Sequence, residues 1–427
     1  MKKMIRLMTC AVVAAMSMEA ARATLNVPSN GSDGHLVVTN NLVIDLSQAI
    51  TAPWDSINTG ANIGLGRYDS GKWAVVFHYE SVTIQGGATV TFKNHDSRAP
   101  VVWLVQGDVT INGTVSLDGQ GSQPASWLAV PGPGGGRSGS GYYAPGAGAS
   151  PGFGPGAGRY PNDVYGWATG GSYGSVGWNG GAIYGNPSLI PLIGGSGGGG
   201  GPVNGINSGG AGGGAMLIAS ARTLTISGSI HANGGSTYSA STEAAAGSGG
   251  GLRLVAESLV GSGLIQTLGG VGPSWNNGSQ YGGLGRIRIE RSTNTFNGTI
   301  APTGPSVEEL SPGATPVIWL PTNGPTVRIV SIGGKSAPAD PRAEFGAFGA
   351  DVVLPQITNV TVVVETTVAE SDSTVSVRAT PRSNGNFSER IASLTQVVSE
   401  DPKVIRWTAN VPVSDGYAAI QVKVVRP

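Results

Sequence analysis

Ten aromatic side chains fall between residues 120 and 214, a stretch that holds nearly half of the 71 glycines and only three charges: Arg137, Arg159 and Asp163. Nine of the ten join a flat apolar face to a hydroxyl or indole N–H: Trp127, Tyr142, Tyr143, Tyr160, Tyr165, Trp167, Tyr173, Trp178 and Tyr184. Rings of this kind, bordered by small residues, suit stacking against sugar rings while the polar tip meets a hydroxyl. So few charges fit a neutral glycan better than an acidic one. The same rings could equally anchor a long loop onto the body of the protein, and both readings stay open. Trp275 and Tyr281 would extend an aromatic patch if their loop lies on the same flank.

Other candidates for chemistry are weaker. His95-Asp96-Ser97-Arg98 is a dense polar cluster, readable as a catalytic corner, a sugar-binding loop or a polar turn between two strands. Glycoside hydrolysis needs two carboxylates facing one cleft. The isolated acids Asp45, Asp69, Asp108, Asp118 and Asp163 read instead as turn or solvated strand positions. Glu243, Glu257 and Glu290 do not cluster, so no calcium ladder is expected. His35, His78 and His231 lack metal-ligand spacing. Gly170-Gly-Ser172-Tyr-Gly174 has the letters of a nucleophile elbow, but it neither follows a strand nor opens a helix as that chemistry requires. The expectation is no catalytic residue, no metal and no cofactor.

The elements that would position these residues are read from a repeat. Gly228, Gly263 and Gly298 lie 35 residues apart, as do Gly234, Gly269 and Gly304, and Ile230, Ile265 and Ile300. Leu217, Leu252 and Ile287 follow the same step, with Ala219, Leu254 and Ile289 two positions on. Alternating strands inside a fixed period point to stacked units that cannot bury their apolar faces alone. Thr110 to Val115 lies over Thr225 to Ile230 after a shift of 115 residues, one further period plus an insertion of roughly 80 residues at about 120–214. That insertion is either a flexible glycine coil or a set of extended segments packed side by side, since backbones without side chains approach closely.

Residues 1–23 read as a Sec-type signal peptide: a basic start from Met1 to Arg6, a short apolar run, and Ala21-Arg22-Ala23 as cleavage site. The single cysteine, Cys10, sits inside it, so a mature chain would have no disulfide. Lys plus Arg and Asp plus Glu both number 25, which gives no reason to expect nucleic acid or anionic lipid as partner. No later segment is apolar enough for a membrane span. Residues 24–305 form the repeat unit, 306–324 a Pro-rich linker, and 325–427 a run of short alternating strands read as an immunoglobulin- or fibronectin-III-like β-sandwich with Trp407 at its centre.

The Gly-Gly-Gly-x-hydrophobic-x-hydrophobic units, the glycine-rich insertion and the trailing sandwich resemble a group of secreted glycine-rich bacterial parallel β-helix proteins. The resemblance implies an all-β chain with a right-handed parallel β-helix, or β-solenoid, and surface or extracellular placement. It also implies an adhesive or polysaccharide-related role, and it supplies no catalytic residues. The expected function is therefore a non-enzymatic extracellular or cell-surface structural or adhesive protein. The alternatives are carbohydrate binding through the aromatic insertion, and a β-helix polysaccharide lyase or hydrolase. Extracellular polysaccharide or cell-surface components are the expected partners.

Overall fold

The computed structural model describes residues 24–122, 128–141, 148–160, 167–201, 207–237, 244–272, 274–275, 278–342, 350–355, 358–382, 385–413 and 416–425, with backbone only for 274, 275, 278 and 279. The described residues form strands and three short 3-10 turns. No helix among them is long and apolar enough to cross a membrane.

Two mainly parallel sheets build the first part, the larger one carrying the antiparallel pair of Arg67–Asp69 with Ala74–Ile84. In the larger, eleven-stranded one, parallel partners share the 35- and 115-residue steps: Leu252 pairs with Ile287, and Leu224 with Val109. In the smaller, six-stranded sheet Ile230 lies between Val115 and Ile265, and Ile265 pairs onward with Ile300. Strand alternation divides the side chains of the larger sheet. Val75, Phe77, Val101, Trp103, Met216, Ile218, Leu252 and Leu254 share a core with Val90, Val115, Ile230 and Ile265 of the smaller sheet. Val76, Val102, Leu104, Leu217 and Ala219 face the other way, under Leu25, Val27 and Ile318.

The larger sheet is not the right-handed parallel β-helix that the resemblance implies. Ala215–Ser220 pairs with Val101–Val105, which pairs with Ala74–Ile84. The path continues through Val109–Ile111 and Thr223–Ile226 to Gly251–Gly261, which returns to Ala215–Ser220. Six strands thus close as a parallel barrel, with further strands attached to it. The closure has a simple cause. Ala74–Ile84 and Gly251–Gly261 run unbroken for eleven residues, and each pairs with two short strands on one neighbouring side. The expected columns also slip by one residue: Met216 and Ile218, not Leu217 and Ala219, lie beside Leu252 and Leu254. Three residues separate Ala219 from Thr223, but two separate Val255 from Ser258, so the extra one is absorbed before the next strand.

The glycine-rich stretch packs onto this body as a lattice of extended segments. The N–H groups of Gly195, Gly198 and Gly201 donate to the carbonyls of Gly213, Gly210 and Asn207, an antiparallel neighbour met at every third residue. Those of Gly194, Gly197 and Gly200 donate to Gly134, Phe153 and Ser150, and those of Ser196 and Gly199 to Ser248 Oγ and the Thr169 carbonyl. A three-residue period in three directions is the hydrogen-bond geometry of polyproline-II-type segments packed side by side. Ordering glycine loses more backbone entropy than ordering any other residue. Each segment offsets that loss by bonding to several neighbours at once.

Residues 326–425 form two antiparallel sheets around one apolar cluster. The five-stranded sheet runs Lys335–Ser336, Thr326–Ile332, Asn359–Thr367, Lys403–Pro412 and Ser393–Glu400. The three-stranded sheet runs Ser388–Ile391, Thr374–Pro381 and Ala418–Val425. Val362, Val364, Val375, Val377 and Trp407 fill the space between them. The Trp407 indole donates to Thr366 Oγ1 at 2.9 Å, which satisfies its one polar atom.

Candidate binding cleft

Among the described residues the two parts meet at two places. At the first, the Tyr68 hydroxyl donates to Asp340 Oδ1 at 2.7 Å, and Arg342 Nε donates to Asp340 Oδ2 at 2.9 Å. At the second, Arg378 donates to the Pro155 carbonyl at 3.1 Å, and the Tyr160 N–H to Asn386 Oδ1 at 2.7 Å. The Arg159 guanidinium there lies 4.8 Å from the Phe387 ring centroid, a cation–π distance. A cleft of about 1350 Å³ opens beside these contacts, bounded by residues of both parts.

Its walls differ in chemistry. The wall on the first part offers Trp73, Ser97, Arg98 and the backbones of Gly134 to Gly136 and Gly194 to Gly195. The opposite wall is largely aliphatic, with Val327, Ile329, Val330 and Ile420, and carries Tyr417 and Gln421 beside them. Gln421 Oε1 is buried with no hydrogen-bond partner, an acceptor in this wall left without a donor. The sites missed at the level of sequence are therefore Tyr68, Trp73, Asp340, Tyr417 and Gln421. They share no local signal: Trp73 and Tyr417 precede strands, whereas Gln421 lies inside Ala418–Val425 and Asp340 outside any strand.

His95-Asp96-Ser97-Arg98 sits at the cleft wall and is a turn, closed by the Arg98 N–H donating to the His95 carbonyl at 2.8 Å. His95 Nδ1 accepts the Ser97 N–H at 3.1 Å and lies 2.8 Å from Ser97 Oγ. Nδ1 is thus the unprotonated nitrogen and the Ser97 hydroxyl its donor. Nδ1 is therefore occupied within the turn rather than turned to the cleft. Arg98 holds a φ of +57°, which costs a non-glycine residue on the order of 1 kcal/mol, and the turn geometry imposes it. The Trp73 indole donates to the Ser97 carbonyl at 3.0 Å and fixes the turn against the strand that follows.

The electrostatics of the corner follow from burial. The Tyr68 and His95 rings stack with centroids 4.0 Å apart. Burial, and then the hydrogen bond to Asp340, push the Tyr68 hydroxyl up to about 12. Burial, and then the nearby Arg342 charge, hold His95 below its usual value. Burial lowers His78 as well; its Nδ1 accepts the Asn30 N–H at 3.3 Å, so Nε2, 2.6 Å from the Trp54 carbonyl, carries the proton. Both histidines are neutral bases whose folded values lie below the unfolded one. Between the two values the unfolded chain binds more protons, so stability is complete above pH 6.5 or so and falls as pH drops through the lowered folded values. The melting temperature is expected to be lower at pH 5 than at pH 7.5, and His78→Gln to flatten that difference. In Asp45, Glu365 and Glu389 burial pulls the carboxyl up, but hydrogen bonds and neighbouring cations outweigh it and hold each below its ordinary value, so they titrate below this window.

Of the nine aromatics expected to stack on sugars, five lie among the described residues: Tyr160, Trp167, Tyr173, Trp178 and Tyr184. Tyr173 and Tyr184 are buried, with hydroxyls donating to the Ile193 carbonyl at 2.8 Å and the Gly194 carbonyl at 2.6 Å. They pack together with Leu189 as anchors of the lattice. Burial raises both hydroxyls above their ordinary value. Tyr160 lies at the second junction between the two parts. Trp167 and Trp178 are half-buried, with ring centroids 6.0 Å apart, and the Trp178 N–H donates to the Tyr281 carbonyl, so this loop does reach the same flank. Trp127, Tyr142, Tyr143, Tyr165 and the Trp275 ring lie outside the described residues. Among the described residues no group of three or more His, Cys, Asp or Glu side chains could hold a metal ion. No family model, curated protein or solved structure matches this chain.

Proposed function

We propose that this chain is a non-enzymatic extracellular protein of the structural or adhesive kind that holds a neutral glycan in the cleft between its two parts. The observation that carries the reading is the pairing of unlike walls. One presents the Ser97 hydroxyl, the Arg98 guanidinium and glycine backbone beside Trp73 and Phe153, and the other a largely aliphatic surface that ends in Tyr417 and also carries Arg328, Asp340 and Asp351. A pyranose has the same duality, with hydroxyls around its edge and C–H groups on its faces. Oligosaccharide size also suits a cleft of about 1350 Å³, above the usual range for small-molecule pockets. The glycine lattice supports a scaffold role, because segments bonded on three sides leave the first wall little freedom to move. The basic start, apolar run and Ala21-Arg22-Ala23 motif are the reason to place the protein outside the cytoplasm.

A neutral glycan array followed by titration calorimetry tests the reading. Tyr417→Ala and Gln421→Ala are each expected to weaken binding at least ~10-fold, equivalent to about 1.4 kcal/mol, with little change on raising salt, since no phosphate or carboxylate is being neutralised. Binding to no neutral glycan, or binding that survives both substitutions, would sink the proposal.

A further inference from the structure

Among the described residues Trp73 is the only tryptophan that lines the cleft. Its φ is +48°, and Arg98 in the same wall stands at +57°. Bulky side chains seldom occupy the left-handed region, and strain of this kind gathers at ligand clamps. The Trp73 indole N–H donates to the Ser97 carbonyl at 3.0 Å, which turns the ring's one polar atom into the His95–Arg98 turn. The half-buried ring therefore offers the cleft only carbon, as a π face and a C–H edge. Across from it stand Val327, Ile329, Val330 and Ile420.

A sugar ring held between these walls meets apolar surface on both of its faces, and that constrains its stereochemistry. A pyranose with every substituent equatorial carries its hydroxyls in the ring plane and only C–H bonds above and below. An axial hydroxyl would instead press an oxygen against carbon, where it loses water and gains no hydrogen bond. The polarised C–H groups also suit the negative face of an indole. In-plane hydroxyls point sideways, towards the polar groups that share the walls: Ser97, Arg98, Arg328 and Gln421, whose Oε1 has no donor of its own. On the basis of a glycan in this cleft, we propose that the site selects β-linked, all-equatorial pyranosides of the glucose and xylose series, with Trp73 setting that specificity. The β linkage belongs to the same demand. An equatorial bond keeps the next ring in plane, whereas an α linkage is axial and turns the chain into a wall. The cleft reaches from Tyr68 and Asp340 at the first junction to Gly154 and Pro155 at the second, so a chain of sugars has room along it.

Titration calorimetry of the full chain with cellohexaose, xylohexaose, β-linked mannohexaose and maltohexaose tests the assignment. The first two should bind at least ~10-fold more tightly than the last two, the discrimination that one unpaired buried polar group brings. Trp73→Leu should weaken cellohexaose binding at least ~10-fold and narrow the gap to mannohexaose to within ~3-fold. Trp73→Phe keeps a π face without the N–H and should retain the preference. Melting temperatures of both variants separate lost stacking from lost folding, and the ranking of the four ligands by the parent needs no variant at all. A parent that binds mannohexaose or maltohexaose as tightly as cellohexaose overturns the assignment while leaving a glycan in the cleft. So does a folded Trp73→Leu variant that keeps the parent's preference. Binding of none of the four overturns it as well; if the array then still shows another neutral glycan bound, the cleft reading survives, and if it shows none, that reading falls too.

Discussion

Gly250→Ala is expected to destabilise the protein by about 3 kcal/mol or more, although it adds a single methyl group. A Cβ at Gly250 would lie 1.8 Å from the Gly214 carbonyl oxygen and 2.7 Å from Gly213 backbone carbon, and neither can rotate away as a side chain would. The backbone cannot retreat either. The Gly250 N–H donates to the Ala232 carbonyl at 2.7 Å, its carbonyl accepts the Arg286 N–H at 2.9 Å, and the Gly251 N–H donates to the Gly214 carbonyl at 2.9 Å. Relief therefore requires separating segments whose spacing those bonds fix. Gly86→Ala is the control. Its Cβ would have only Asn112 oxygen, at 3.9 Å, within reach, and the following Gly87, at φ +86°, takes the left-handed position of the turn. That variant should be neutral or stabilised by roughly 0.5 kcal/mol, through the smaller entropy of its unfolded chain. Paired denaturant titrations of the two variants check the contrast. Equal stabilities would mean that the lattice is looser than its hydrogen bonds indicate.

Much of the pairing could be read from residue spacing. Ile230, Ile265 and Ile300 are register partners because a hydrophobic step of constant length leaves parallel strands one pairing that keeps aliphatic side chains inward. The reading went wrong where that step is not constant. Leu217 and Ala219 look like further members of the series, yet an extra residue after Ser220 moves them to the opposite face. The closure of six strands into a barrel was hidden for a related reason. Glu257 and Ser258 look like a polar link, but the backbone stays extended through them and joins two expected strands into one.

The candidate site was far less visible. Tyr68 and Asp340 lie 272 residues apart and belong to segments whose patterns say nothing about each other. The aromatics of 120–214 were conspicuous, but composition cannot tell an exposed platform from an anchor. Tyr173 and Tyr184 are anchors because the extended segments bring carbonyls of residues 193 and 194 within reach of their hydroxyls. That proximity arises from the three-residue hydrogen-bond period of the lattice, which has no hydrophobic pattern to betray it. The His95–Arg98 cluster could be located from its letters, whereas its place in the cleft depends on the far end of the chain.

Glu290→Ala is expected to cost about 3–5 kcal/mol, because it strands a buried cation. Arg253 is 1% exposed; its Nε donates to Glu290 Oε1 at 2.8 Å and its Nη2 to the Val317 carbonyl at 2.7 Å, while Nη1 has no partner. Without the carboxylate, the guanidinium keeps one carbonyl as its only described acceptor and no opposing charge within bonding distance. Arg253→Met should be milder, at about 1–2 kcal/mol, because it removes the buried charge and keeps most of the side-chain volume. Glu290 would then still be held by Arg288 Nε at 2.7 Å, and Arg288 also reaches Glu308. The two changes share one interaction, so the double variant should lose less than the sum, and the deficit measures the coupling. Val317 begins the segment that lays Ile318 and Trp319 over the outer face of the larger sheet, upstream of the aliphatic cleft wall. Glu290→Ala should therefore weaken glycan binding as well as lower the unfolding midpoint, whereas Gly86→Ala should do neither. If Arg253→Met proved the more damaging, the buried pair would be holding that segment mainly through the Val317 carbonyl rather than by charge.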